Sequence, residues 1–227
     1  MLRIRATLPG MSAARTARDR ARQELTIEIK DEARRQLATD GAHNLSLRAV
    51  ARSLGMASSA LYRYFPSRDD LLTALIIDAY NALGDAAEQA DQGATPLERW
   101  RGVCHAVRRW AIDHRHEYAL IYGTPIPGYQ APRDTVGPAV RVVWLLGQIA
   151  HAAGVEDSAI PDELRAQFDP IEAAVPTGAT VRVVFAWTQL FGMVSFELFG
   201  QLVGSADPAD AFFGYAVDEV AGFVGLT

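Results

Sequence analysis

Residues 46–70 read SLRAVARSLGMASSALYRYFPSRDD, and this stretch decides the fold. Ser46 precedes Leu47 as an N-cap whose hydroxyl can accept from an unpaired amide of the first turn. Val50, Ala51 and Leu54 then repeat at helical spacing, and Gly55 falls where a helix ends with positive φ. A second helix starts at Ala57 or Ser58, turns Leu61, Tyr64 and Phe65 inward, and ends at Pro66. Two helices of about eight residues joined by a glycine turn form a helix-turn-helix, whose second helix lies in the major groove of DNA. Ala51 is small where the helices cross, Gly55 sits in the turn, and Leu61 is the apolar anchor. At about 100° per residue from Leu61, Ser59 and Arg63 fall on the opposite side with Ala60 and Tyr62 beside them. Those side chains are free to reach base edges. Without DNA the same residues would make only a three-helix packing unit.

Taken together, Leu45 to Arg52, LGMASSALYRYF and PSRDDLL resemble the TetR (TetR/AcrR) family of bacterial transcription regulators, with the motif spanning roughly residues 20–85. The resemblance implies an all-α homodimer. A helix-turn-helix domain would span 18–70, with a long helix leading into an effector-binding and dimerisation domain, 71–227, while residues 1–17, with Pro9, Gly10 and no periodicity, read as a disordered or partly ordered arm. The resemblance implies base contacts from Arg48, Ser58, Ser59 and Ala60, and phosphate contacts from Tyr62, Tyr64 and Arg68, where lysine is more usual. Arg63 stands at a variable position, so its partner is open. Trp187 and Gly192 resemble a subgroup marked by a tryptophan and a His-Gly pair, with Phe191 in place of the histidine.

Arg68 also carries a local argument. Ser67 caps the next helix, Asp69 and Asp70 suit its first turn, and a cation there loses roughly 0.3 to 1 kcal/mol against the dipole. A partner outside the fold explains Arg68 better than solvation does. Charge is divided in the sense DNA requires: residues 1–70 hold 13 Lys+Arg against 8 Asp+Glu, and residues 71–227 hold 9 against 19, within an overall −5. Arg15, Arg18, Arg20 and Arg22 form an arm that either approaches DNA or is a solvated tail. One cysteine, Cys104, excludes an intrachain disulfide, and no apolar run resembles a leader or membrane span, so a soluble cytoplasmic protein is expected.

Further along, Leu25, Ile29, Ala33 and Leu37 give a helix over about 20–39. Leu71, Leu72, Leu75, Ile76, Ala79 and Leu83 give the long helix, a rod whose tilt would move the recognition helix. Thr95-Pro96-Leu97-Glu98 is a capping box opening a helix with Trp100, Val103, Cys104, Val107, Trp110 and Ala111 on one face. Residues 155–176 read as a flexible or briefly helical connector. From Thr177 to Val203 almost every face is apolar, which demands cover on two sides. A second chain would supply one, through a two-fold four-helix interface including Phe191, Val194, Phe196, Phe199, Phe212, Tyr215 and Phe223.

Trp100, Cys104, Trp110, Tyr118, Tyr122, Trp144, Gln148, Phe185 and Gln189 either line a cavity for a small hydrophobic or aromatic effector or belong to the core. That an effector exists follows from the resemblance alone. Cys104, His105, His114, His116 and His151 lack metal-ligand spacing, and no catalytic or cofactor-binding motif occurs, so neither metal, cofactor nor enzyme activity is expected. The favoured reading is a repressor on a palindromic operator, released by ligand. Two others stand beside it: a DNA-binding protein without effector, and a helical interaction protein that has lost DNA binding.

Overall fold

A computed structural model describes residues 10–169, 171 and 173–226, with side chains from residue 16. Among these the chain forms eleven α-helices and no strand. It divides into two compact units, the division falling between Leu75 and Ile76.

The first unit comprises α1 (Gly10–Asp40), α2 (Leu47–Ser53), α3 (Ser58–Leu61) and the beginning of α4 (Arg68–Gln89). The arm expected over 1–17 lies outside the described residues through position 9, and the Arg15 side chain lies outside them too. From Gly10 the backbone is already helical, so α1 starts before the predicted position near 20. Ile29, Ala33 and Leu37 of α1 are buried, as are Leu47, Val50, Ala51, Leu61, Phe65, Leu71 and Leu72. Each large aliphatic side chain so enclosed contributes about 1.5–3 kcal/mol.

α3 is shorter than the predicted eight or so residues. One α turn gives way to tighter bonds, Arg63 N to Ala60 O at 3.2 Å and Tyr64 N to Leu61 O at 2.8 Å. Pro66 cannot continue a helix, and this tightening ends it while burying Phe65, 7% exposed.

In the second unit, α5 (Pro96–Asp113) follows the rest of α4, and both halves of the Thr95–Glu98 capping box are formed. Then come α6 (Arg115–Tyr122), α7 (Val136–Ala139), α8 (Arg141–Ala152), α9 (Asp162–Phe168), α10 (Thr177–Leu198) and α11 (Asp210–Val224). Every predicted apolar residue of α5, from Trp100 to Ala111, is buried. Residues 155–176 include α9 and are tied at their ends. Asp157 Oδ1 accepts from Gly178 N at 2.7 Å, and Thr177 Oγ1 donates to Asp169 Oδ1 at 2.7 Å.

α10 is long and apolar enough to cross a membrane by composition. Its inner face, Ala179, Val183, Ala186, Leu190, Phe191 and Val194, instead packs into the core of this unit beside α5, α8 and α11. The helix ends at Leu198, before the predicted Val203, in a run of turns that contains Gly200 at φ 82°.

Candidate functional site

The helix-turn-helix is set by short-range bonds. Ser46 Oγ accepts from Ala49 N at 3.4 Å and opens α2. Gly55, at φ 65°, closes it: Gly55 N donates to Arg52 O at 3.1 Å and Met56 N to Ala51 O at 2.8 Å. This is the paired Schellman arrangement, and only glycine takes that φ without strain. Leu61, fully buried, fixes α3 against α2, so the opposite side of α3 is presented outward. Ser59, Tyr62 and Arg63 are exposed there, as is Arg48 on α2, whereas Ser58, Ala60 and Tyr64 are half-buried. Arg22 of α1 lies over the Tyr64 ring at 5.5 Å.

Arg48, Tyr62, Ser67 and Arg68 share one open depression of about 450 Å³ with Leu45, Ser46, Leu47 and Pro66. The fold thus brings together two cations, a phenol and a hydroxyl from the start of α2, the end of α3 and the start of α4. Such a set suits a phosphate group. Ser59 and Arg63 do not line that depression.

The local reasoning about Arg68 needs correcting. Its Nε donates to Leu45 O at 3.1 Å, and its Nη2 donates to Ala42 O at 2.8 Å and His43 O at 3.2 Å. A cation in an unfavourable place on its own helix is therefore satisfied inside the fold, by carbonyls of the segment linking α1 to α2. Nη1, 3.6 Å from Asp69, is the less committed end.

The nine effector candidates do not converge on one cavity. Trp100 and Cys104 are sealed in the core at 1% and 2% exposed, and burial alone pushes the Cys104 thiol far above its ordinary range. Tyr118 is fully buried. Its hydroxyl donates to Phe191 O at 3.1 Å and pairs with Ser195 Oγ at 2.8 Å, and burial raises its pKa to about 12 against the opposing hydrogen bond. Tyr122 stacks on Phe191 with ring centroids 4.2 Å apart. These aromatic residues are structural glue between α6 and α10. Trp110 faces a polar groove with His105, Arg109 and His114, and Gln148 a different one beside Arg141. Phe185 and Gln189 lie exposed on the outer face of α10, where Phe185 meets Phe223 of α11 at 4.9 Å. Only Trp144 borders an apolar cavity.

Two expected interface residues also turn inward: Phe191 is 6% exposed and Val194 is fully buried. An all-round apolar helix has no periodicity to say which side its own domain takes, and these two belong to that side. Phe196, Phe199, Phe212, Tyr215 and Phe223 remain exposed. Among the described residues no group of three or more His, Cys, Asp or Glu is placed to hold a metal ion.

A helix-turn-helix unit with an outward-facing second helix, followed by a larger all-helical unit, defines a bacterial one-chain regulator class. Residues 29–75 match the bacterial regulatory proteins of the tetR family, and residues 100–220 the tetracyclin repressor-like C-terminal domain. The HTH-type transcriptional regulator Rv1816 of Mycobacterium tuberculosis is 41% identical over 197 residues, covering 80% of this chain and 83% of that one. The HTH-type transcriptional repressor DrrR1 of Streptomyces coeruleorubidus is 28% identical over 165 residues, 69% of this chain and 58% of its own. Among solved structures, the regulatory protein SCO4313 superposes with a TM-score of 0.78 at 37% identity, over 90% of this chain and 98% of that one. The chain belongs to the TetR family and is a transcriptional regulator, not an enzyme.

Proposed function

We propose that this protein is a cytoplasmic repressor that binds a palindromic operator as a homodimer and leaves it when a small apolar effector binds the second unit. The observation that carries the reading is the outward set of Ser59, Tyr62 and Arg63 on a helix pinned from behind by Leu61. Arg48, Ser58, Ser59, Ala60 and Arg63 would meet base edges, while Tyr62, Tyr64 and Arg68 Nη1 would meet phosphates.

Dimerisation is supported by the outer faces of α10 and α11. Phe185, Gln189, Gly192, Phe196 and Phe199 follow at intervals of three and four, the spacing of a helix-pairing stripe, and all are exposed. Phe212, Tyr215 and Phe223 of α11 stand exposed as well. Repression has support from the name of the Streptomyces coeruleorubidus relative. The test is to recover genomic fragments bound by the protein and to measure neighbouring transcripts after deleting its gene. Repression predicts that those transcripts rise; a fall would overturn it.

A further inference from the structure

We infer that the cavity between α8 and α10, opened by Gly147, is a binding site for one small, uncharged, apolar or aromatic molecule. Gly147 sits inside α8, buried, in ordinary helical backbone, and a Cβ added to it would meet no atom within 4 Å. Neither a turn nor a close neighbour requires glycine there, and within a helix glycine is less stable than alanine. What its missing side chain leaves is room. The cavity holds about 320 Å³, with Val143 and Trp144 of α8 facing Val183 and Val184 of α10.

The chemistry of the walls selects the guest. Among the described lining residues Thr180 alone has a polar aliphatic side chain, and its Oγ1 is already directed to Val175 O and Pro176 O, each at 3.2 Å. Among the described residues no charged side chain lines the space. A charged guest would lose its hydration there without a described partner to replace it. Trp144, 48% exposed, lines the space and supplies an indole for an aromatic guest. Apolar cavities of roughly half this volume stay dry and accept benzene, and the size lies at the lower end of small-molecule sites.

This assignment deepens the effector reading above and rests on it only for its link to DNA. The test uses the full-length protein without DNA and the uncharged probe N-phenyl-1-naphthylamine, whose emission rises in apolar surroundings. The expected result is saturable binding of one probe per chain. Biphenyl should displace it and biphenyl-4-carboxylate should not. Gly147→Leu, which fills the cavity, is expected to weaken binding at least tenfold while melting cooperatively at or above the wild-type temperature. Gly147→Ala is expected to raise the melting temperature and weaken binding less. Ile27→Ser, on the exposed surface of α1, should leave affinity unchanged. Equal affinity in wild type and Gly147→Leu, or equal displacement by the carboxylate, would overturn the assignment. Probe binding lost in Gly147→Leu but without effect on operator affinity would uphold the site and refute the effector reading.

Discussion

Arg68 shows what one side chain can and cannot disclose in sequence. Its place in the first turn of α4, beside Asp69 and Asp70, is unfavourable by the helix dipole, and this much is legible. Its partners are not, because Ala42, His43 and Leu45 lie 23 to 26 positions away and offer backbone carbonyls, which no residue pattern encodes. Hydrogen bonds to a charged group contribute about 1.5–3 kcal/mol. Arg68→Ala is therefore expected to lower the stability of the first unit by roughly that amount in urea unfolding, besides weakening DNA binding at every sequence. Unchanged unfolding would mean that the carbonyl contacts contribute nothing.

α5 carries two working faces, and only one was legible. Its apolar stripe follows helical spacing, and Thr95–Glu98 announces its start, so local periodicity suffices. The opposite face looks solvated in sequence, yet Arg108 forks onto Glu197 of α10 at 2.7 Å and reaches Asp210 of α11 at 2.9 Å, while Arg101 pairs with Asp218 at 2.6 Å. Such pairs join elements about a hundred positions apart and leave no short-range signal. Between them His105 meets the Phe213 edge, and burial, then the Arg108 and Arg109 cations, lowers its pKa below the ordinary 6.5. The unfolded chain therefore takes up that proton more readily. The stabilisation is present above pH 6.5 and is lost as pH falls through the lowered folded value. Asp210 and Asp218, held below 3.8 by hydrogen bonds from Arg108 and Arg101, add a second loss in stronger acid. Melting temperature should decline from pH 7 to 5 in wild type and stay nearly flat over that interval in His105→Gln. Arg108→Ala should cost about 2–3 kcal/mol in denaturant unfolding, since it strands a half-buried Glu197.

For the whole molecule, sequence alone conveyed the all-helical architecture and the character of the first unit, because capping, turn glycine and anchor residues are local. Which aromatic residues are core and which are surface was not legible. Phe191 and Phe196 are indistinguishable in an unbroken apolar run, and packing alone assigns the first inward and the second outward. That division makes the dimer testable. Phe196→Asp places a charge in the outer stripe of α10 without touching the core. Sedimentation at micromolar concentration should then find a monomer with wild-type helicity where the parent is a dimer; a parent that is itself monomeric contradicts the two-fold assembly. Charge is divided along the chain as well, with a net +5 over residues 1–70 and −10 over residues 71–227. Affinity for DNA should accordingly fall steeply with added salt.

The most direct measurement is selection of bound duplexes from a random pool by the full-length protein, followed by anisotropy titration of the recovered sequence. The account predicts a palindrome occupied by two chains, with Arg48→Ala and Arg63→Ala each losing about 1–3 kcal/mol and relaxing base preference. A pool without any enriched sequence, or the double variant binding the recovered duplex as tightly and selectively as wild type, would contradict it.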